Sequence, residues 1–273
     1  MCDVCIMNSV KARMLSRRDL FKGGAAVTAT AALTSTAAAP PALAAGHGEV
    51  VDMTHVYDAD FPTYFGVPGV EITQEYRFSE SGFNLFNLTL NEHTGTHIDA
   101  PLHFSADGQS VDEIPVDNLV CPLAVVDIAA KAEADADAQV TVEDLKAWIA
   151  SNGEIPEGAC VAMHSGWSRK TASDGYRNVD EAGSMHFPGF HIEAAQMLIE
   201  ESRAVAIAVD TLSLDYGASA DFATHYAWLP TNRYGIENLA NLDKVPATGA
   251  TLIVGAPNHR GGSGGPARIF AMV

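Results

Sequence analysis

The residues most able to do chemistry lie in one stretch, Glu92–Phe104, which reads E-H-T-G-T-H-I-D-A-P-L-H-F. His93 and His97 supply imidazole nitrogens and Asp99 supplies a carboxylate, a donor set suited to Zn²⁺, Mn²⁺ or Fe²⁺ with positions left open for water. We therefore predict a divalent metal site rather than a histidine-rich turn. The residue types alone leave the identity of the metal open.

Two further residues of this stretch predict how the donors converge. Gly95 lets the chain bend between the histidines, and Pro101 fixes the chain direction after the aspartate. On a helix His93 and His97 would share one face, but Gly95 and Pro101 favour a loop that leaves a strand. His103 would then lie beside the metal without binding it, the position of a general base with a pKa of about 6.5.

Apolar and alternating runs predict an α/β sheet around this stretch. Strands are predicted over Glu49–Met53, Glu75–Phe78, Phe83–Leu90, Leu123–Ile128, Ala159–His164, Ala204–Val209 and Thr251–Gly255. Because strands open the chain before helices alternate with them, we expect a mixed sheet rather than a regular doubly wound one.

Helices and loops are predicted between these strands. A capping-box pattern at Thr141 predicts the start of one helix, and Gly153 predicts its C-terminal end. A second helix is predicted over about Ile192–Ser202. An acidic, Ala-rich loop is predicted over Glu133–Gln139. The run Gly261–Gly265 predicts a flexible turn near the end of the chain.

The first 44 residues predict an export signal that is removed from the mature domain, residues 45–273. Ser16–Lys22 reads S-R-R-D-L-F-K, a twin-arginine pattern, and a mildly apolar run over Gly23–Ala39 leads to A-L-A at Ala42–Ala44. A membrane anchor is the alternative, but the run is short and is followed by Pro40–Pro41. We expect the twin-arginine export machinery to be a partner and the protein to be periplasmic or secreted.

The net charge of the mature chain excludes some classes of binding partner. Residues 1–44 hold five of the 16 Lys and Arg and two of the 34 Asp and Glu, which leaves 11 against 32 and a net charge of −21. Nucleic acid and anionic membrane surfaces are therefore poor partners.

The mature chain has two cysteines, Cys121 and Cys160, and each lies in an apolar run. The sequence is compatible both with two buried thiols and with one disulfide between them.

The chain also resembles a known family. His93–Phe104 is similar to the H-x-G-T-H-x-D-x-P-x-H-F signature of the cyclase-like metal-dependent hydrolases, which include bacterial kynurenine formamidases and isatin hydrolases, and all eight defined positions match. Asp52–His55 resembles the family's D-L-T/S-x, Ser165–Trp167 its T-G-W, Phe187–Gly189 its F-P-G and Asp210–Asp215 its D-T-x-S-x-D. The resemblance spans nearly the whole mature chain and implies a single-domain α/β fold of the swivelling β/β/α (cyclase-like) type, with a mixed sheet.

Carried over residue by residue, the resemblance implies two metal positions. The first would be held by His93, His97 and Asp99. The second would be held by Asp99, as a bridge, together with His225 and Glu237, which taken alone read as surface or capping residues. Zn²⁺ is the expected ion and Mn²⁺ the alternative, with one or two ions per chain.

The resemblance also implies catalytic and substrate-binding roles. His103 is the expected proton donor and acceptor. Tyr64 and Phe65 lie in F-P-T-Y-F-G, in the place of the family's aromatic loop over the substrate, where kynurenine formamidases typically carry tryptophan. Trp167 and Trp228 could line the same pocket or pack in the core, and Trp167 is our candidate substrate-binding residue of the two.

Three functions remain open at this point. The first is metal-dependent hydrolysis of an amide bond in an aryl-formamide such as N-formyl-kynurenine, but export argues against it because tryptophan catabolism is normally cytoplasmic. The second is hydrolysis of a cyclic amide or lactone, as in isatin hydrolases. The third is an exported metal- or solute-binding protein without turnover, which would need the ligands but not His103. The expected partner is a small aromatic amide or cyclic amide, and the family suggests a homodimer.

Overall fold

The chain folds around β-strands in a computed structural model that describes residues 48–273. The predicted export signal, residues 1–44, therefore lies outside the described residues. The thirteen strands of the described part are, in chain order, β1 Val50–Asp52, β2 Val70–Tyr76, β3 Leu85–Leu90, β4 His97–Asp99, β5 Val120–Asp127, β6 Gln139–Val140, β7 Cys160–His164, β8 Gly189–Phe190, β9 Ala206–Val209, β10 Tyr234–Glu237, β11 Ala250–Gly255, β12 Gly264–Pro266 and β13 Arg268–Met272.

Nine of these strands form one mixed sheet, in the order β1-β13-β11-β5-β7-β9-β10-β4-β12. Its centre is parallel, because β5, β7, β9 and β10 pair in the same direction. Antiparallel strands flank this centre on both sides. This arrangement confirms the predicted mixed α/β sheet. Strands β6 and β8 pair separately, in parallel.

Five α-helices lie among residues 48–273, together with short 3₁₀ turns. They are α1 Phe78–Ser81, α2 Ala129–Ala134, α3 Val142–Asn152, α4 Ile192–Glu201 and α5 Ala223–Trp228. The start of α3 is the predicted capping box, in which Thr141 and Asp144 each accept a backbone N–H of the other. Within the described residues, no helix combines the length and apolar character needed to cross a membrane.

The central strands are buried on both faces, as continuous apolar runs predict. Along β7, Cys160 and Ala162 belong to one buried cluster and Val161 and Met163 to another. Helices α3 and α4 cover the face that holds Val161 and Met163, where Trp148 and other apolar side chains pack. On the face that holds Cys160 and Ala162, the apolar cluster includes side chains from other strands of the same sheet, such as β11 and β13.

The two candidate cysteines are free thiols. Both Cys121 and Cys160 are buried and neither forms a disulfide. The strand register pairs Leu123, not Cys121, with Cys160. The structure therefore supports the buried-thiol alternative.

Residues 72–89 belong to a second compact unit. In this region β2 and β3 pair as a two-stranded sheet, and α1 lies between them in the sequence. The strands differ from those predicted, because β2 begins at Val70 and Phe78 opens α1. Every residue of β3 is exposed.

Two predicted loops are only partly confirmed. The acidic stretch is partly helical, because α2 extends to Ala134 before the chain turns. The glycine run near the end is not simply a flexible turn, because Gly264 and Gly265 open β12. A Cβ atom on Gly264 would lie 2.3 Å from the Ile98 carbonyl oxygen, so glycine here allows two strands to approach closely.

Candidate metal centre and active site

The motif residues, three predicted metal donors and the predicted base, lie on three successive segments of the chain. His93 lies in the loop before β4, His97 and Asp99 lie in β4 itself, and His103 lies in the 3₁₀ turn Pro101–Phe104. The predicted loop is therefore wrong for His97 and Asp99, because β4 pairs with β10 on one side and β12 on the other. Side chains two positions apart on a strand share a face, so these two donors point the same way.

The register between β4 and β10 brings a downstream donor to the same face. His97 lies opposite Glu237, and Asp99 lies opposite Gly235. Directly opposed side chains of antiparallel strands are neighbours, so Glu237 joins the cluster although it lies far along the chain. A Cβ atom on Gly235 would lie 2.7 Å from the Leu214 side chain and 3.4 Å from the Asp99 Cβ, which explains the glycine.

The carboxylate of Asp99 is the centre of this donor cluster. Its Oδ1 lies 2.7 Å from His93 Nδ1 and 3.2 Å from His97 Nε2, and its Oδ2 lies 3.5 Å from His225 Nε2. Glu237 places one oxygen 3.3 Å from His97 Nε2 and the other 3.3 Å from His225 Nε2. The structure thus brings together all five residues that the resemblance implied as ligands.

Two atoms of the cluster have no hydrogen-bond partner. His97 Nε2 and Asp99 Oδ2 are buried. Other atoms of the candidate metal ligands lie near them, but neither atom makes a well-aligned hydrogen bond within residues 48–273. Buried polar atoms without partners cost free energy unless a ligand satisfies them. Imidazole nitrogens and carboxylate oxygens are ligands of Zn²⁺ and Mn²⁺. The residues present therefore fit a divalent cation.

The outer contacts of two histidines fix which nitrogen faces the cluster. His97 Nδ1 lies 2.9 Å from the Gly95 carbonyl oxygen, and His225 Nδ1 lies 2.6 Å from Asp215 Oδ2. Since these oxygens accept, Nδ1 of each ring donates and Nε2 is directed inward. Asp215 also accepts the backbone N–H of Thr224 at 2.8 Å, so one carboxylate positions both the ring and the start of α5.

A separate chain of contacts orients His93. Its Nε2 lies 3.2 Å from Ser263 Oγ, and the backbone N–H of Ser263 donates to Glu92 over 3.1 Å. Glu92 in turn lies 2.6 Å from His259 Nε2. Sequence reasoning missed Ser263 and His259 because no local spacing links the glycine-rich run to the motif. The position of Glu92, directly before His93, was the only available signal.

Carboxylates and histidines shift each other's pKa values in this cluster. Burial lowers the pKa of His97, but Asp99 and Glu237 outweigh burial and raise it to about 10. Burial also lowers the pKa of His225, but Asp215 and the same two carboxylates raise it well above its usual value. Burial raises the pKa of Asp99, and its histidine neighbours hold it well below its usual range. In the metal-free protein the neighbouring carboxylates therefore favour the charged form of both histidines.

His103 differs from the donors in its surroundings. Its ring stacks on His93 with 3.8 Å between centroids and 25° between planes. Its backbone N–H donates to the Ala100 carbonyl oxygen, but within residues 48–273 its ring makes no hydrogen bond, and it lines a cavity. Burial lowers the pKa of His103 to about 4, below the value expected from the sequence. The ring is therefore neutral at pH 7 and can accept a proton.

The donor cluster opens into a cavity of about 600 Å³. Tyr64 and Phe65 line it, as expected from the sequence, and Arg177 holds their loop by donating to the Tyr64 carbonyl oxygen over 3.1 Å. Phe65 is 76% exposed. Other lining residues include Phe104, Leu212 and Phe222, together with His93, His97, His103 and Glu237.

The structure does not bring the two tryptophans to this cavity. Trp167 is buried with Tyr176 and Phe187, and its Nε1 donates to the Tyr176 carbonyl oxygen. Trp228 is fully buried and its Nε1 donates to the Tyr234 carbonyl oxygen. Both rings pack in the core, where their N–H groups find backbone acceptors.

The fold and the donor cluster define the class of this molecule, an α/β protein whose sheet presents a candidate divalent-metal centre to an aromatic cavity. Residues 51–216 match the family model for putative cyclases, and the chain belongs to this cyclase family. Residues 14–34 match the twin-arginine translocation signal sequence. This match confirms the predicted signal and indicates export across the cytoplasmic membrane, to the periplasm or beyond.

Similar proteins include isatin hydrolases. An isatin hydrolase from Roseibium aggregatum is 33% identical over 250 residues, which cover 85% of this chain and 94% of that protein. The structure of isatin hydrolase A from Labrenzia aggregata, bound to benzyl benzoate, matches with a TM-score of 0.79 and 36% identity over 85% of this chain and 96% of that one. A kynurenine formamidase from Salinibacter ruber is 53% identical over 53 residues, which cover 19% of this chain and 25% of that protein.

Metal binding is expected to release protons. His97, with a pKa of about 10, must lose its proton before Nε2 can bind a cation, so affinity should rise about tenfold per pH unit for each proton released. Calorimetric titration of the metal-free protein with Zn²⁺ or Mn²⁺ at pH 7, in buffers of different ionisation enthalpy, measures this release. We expect at least one proton per ion. A binding enthalpy that is the same in every buffer would contradict the assignment.

Proposed function

We propose that the protein is a metal-dependent hydrolase that opens the amide bond of a cyclic aryl amide of the isatin type. The observation that carries this proposal is the position of His103, stacked on His93 beside a five-residue donor cluster that opens into an aromatic cavity. Similarity to isatin hydrolases over nearly the whole described chain supports the choice of substrate.

The donor cluster would hold the metal that this reaction needs. His93, His97 and Asp99 would hold one ion, and Asp99, His225 and Glu237 a second, with Zn²⁺ as the expected ion and Mn²⁺ as the alternative. A bound divalent cation lowers the pKa of water to about 7 and polarises a substrate carbonyl. The protein's part is to hold the imidazole and carboxylate donors in a buried site.

His103 would move the proton. Its neutral ring accepts a proton from the attacking water as the new carbon–oxygen bond forms. The charges of Asp99 and Glu237 favour the imidazolium that results, since both raise the pKa of His103 against the effect of burial. The ring then returns the proton to the amide nitrogen as the carbon–nitrogen bond breaks. A cyclic amide becomes one molecule with an amine and a carboxylate.

The aromatic loop supports an aryl substrate. Tyr64 and Phe65 meet edge to face with 5.4 Å between ring centroids. Burial raises the pKa of Tyr64, so the ring keeps its phenolic proton at neutral pH. Aromatic rings prefer such offset and edge contacts with one another, and a planar aryl group can add to the set.

An aryl-formamide is the second candidate substrate. The 53-residue segment shared with a kynurenine formamidase favours it, and the same proton transfer would release an aryl amine and formate. The two substrates differ in whether the leaving nitrogen stays tethered to the product.

Turnover of purified, metal-loaded protein should distinguish the candidates. We expect isatin to be hydrolysed with a kcat/KM at least about tenfold above that for N-formyl-kynurenine, measured by absorbance with Zn²⁺ and Mn²⁺ in separate assays. A preference for N-formyl-kynurenine would replace the first candidate with the second. Binding of these compounds without any turnover would favour an exported binding protein.

Replacing His103 should separate catalysis from metal binding. We expect His103→Ala to keep its metal content and to lose about 10² to 10⁴ in kcat, whereas His97→Ala should lose both metal and activity. Metal content by mass spectrometry and initial rates measure the two effects. His186→Ala, which removes a histidine that contacts Asp137 and does not line the cavity, is the matched control. Full turnover by metal-loaded His103→Ala would exclude this residue as the base.

A further inference from the structure

Phe222 has an unusual backbone conformation. Its φ of 50° and ψ of 43° lie in the left-handed region. Four other non-glycine residues of the described chain have positive φ, and all four are asparagines: Asn178, Asn232, Asn238 and Asn241. Asparagine tolerates this region, whereas a bulky side chain there is an outlier. A phenylalanine at this position therefore needs a reason that outweighs the strain.

Helix capping does not supply that reason. Phe222 is the N-cap of α5, and its side chain makes no capping hydrogen bond. The N–H groups of Thr224 and His225 donate instead to Asp215, at 2.8 and 3.2 Å. An asparagine or glycine at 222 would let the same helix start.

Core packing does not supply it either. The Phe222 side chain is half-buried and belongs to none of the buried clusters formed by residues 48–273. Its ring lines the cavity beside the donor cluster. Ring centroids lie 5.7 Å from Tyr64, 5.5 Å from Phe104 and 5.8 Å from His225.

We propose that Phe222 is a specificity-determining residue that selects a planar aryl group. With Tyr64 and Phe104 it forms an aromatic wall, and its contact with His225 sets the distance between that wall and the metal donors. The left-handed backbone is retained because it directs the ring into the cavity. This inference rests on the proposed function for the identity of the substrate, but the wall itself is defined by the contacts above.

Two substitutions separate the ring from the backbone strain. Phe222→Leu removes the aromatic face and keeps an unfavourable side chain in the left-handed region, whereas Phe222→Asn removes the ring and suits that region. Tyr226→Leu is the matched control. Tyr226 is 62% exposed, its ring centroid lies 4.9 Å from that of Phe104, and it does not line the cavity.

Binding is measured with two probes of equal charge and similar size on metal-loaded protein, 2-aminobenzoate and cyclohexanecarboxylate. We expect the wild-type preference for the aromatic probe to fall about threefold to tenfold in both Phe222 variants, as expected for loss of an aromatic contact. Tyr226→Leu should keep the wild-type preference. Metal content should be unchanged in all variants. Without ligand, the thermal midpoint of Phe222→Asn should exceed that of Phe222→Leu.

The outcomes separate this inference from the proposed function. If isatin is not hydrolysed but the aromatic preference falls as described, the proposed substrate fails and the role of Phe222 stands. If isatin is hydrolysed and both Phe222 variants keep the wild-type preference and kcat/KM, the role of Phe222 fails alone. Equal binding of both probes by the wild-type protein would also contradict the role of Phe222. A higher thermal midpoint for Phe222→Leu than for Phe222→Asn would contradict the conclusion that a bulky side chain at position 222 strains the backbone.

Discussion

The buried charge of Asp99 is the constraint on which the rest of the site depends. Its side chain is 1% exposed, on a strand held between two others, so it cannot turn toward water. A buried carboxylate is tolerated only when opposite charges or hydrogen bonds compensate it. His93, His97 and His225 provide that compensation, and a divalent cation would take it over.

Several structural features keep these histidines near Asp99. Strand β10 pairs directly with β4. The segment after β9 carries two carboxylates, Asp210 and Asp215, which hold different parts of the structure. Asp210 accepts the backbone N–H groups of Ser165 and Trp167 at 3.1 and 3.2 Å, which ties the end of β7 to the end of β9. Asp215 anchors His225. The sheet and its loops thus provide a rigid frame for a polar cluster inside an apolar core.

The sequence predicted what is encoded locally. His93, His97 and Asp99 lie within seven positions, so their types and spacing sufficed, and the same holds for the capping box at Thr141. Strand β4 was missed because three residues between a glycine turn and a proline carry no alternation to recognise. His225 and Glu237 came only from a family resemblance, since tertiary structure brings them to the site: strand pairing places Glu237, and Asp215 holds His225 at the start of α5.

Other properties depend on burial and could not be predicted from sequence. The lowered pKa of His103 follows from burial, which no motif encodes. Ser263 and Phe222 reach the site from a glycine-rich run and from a loop, without a recognisable pattern. The left-handed conformation of Phe222 contradicts its residue type, as is expected where function outweighs local preference.

Anomalous X-ray scattering from crystals of the metal-loaded protein tests the central claim most directly. Data collected on both sides of the zinc or manganese absorption edge should show a peak about 2.0 to 2.2 Å from the Asp99 carboxylate and His97 Nε2. This result would establish that Asp99 and His97 bind a metal ion. Stoichiometric metal in the protein with no anomalous peak at Asp99 would contradict the account.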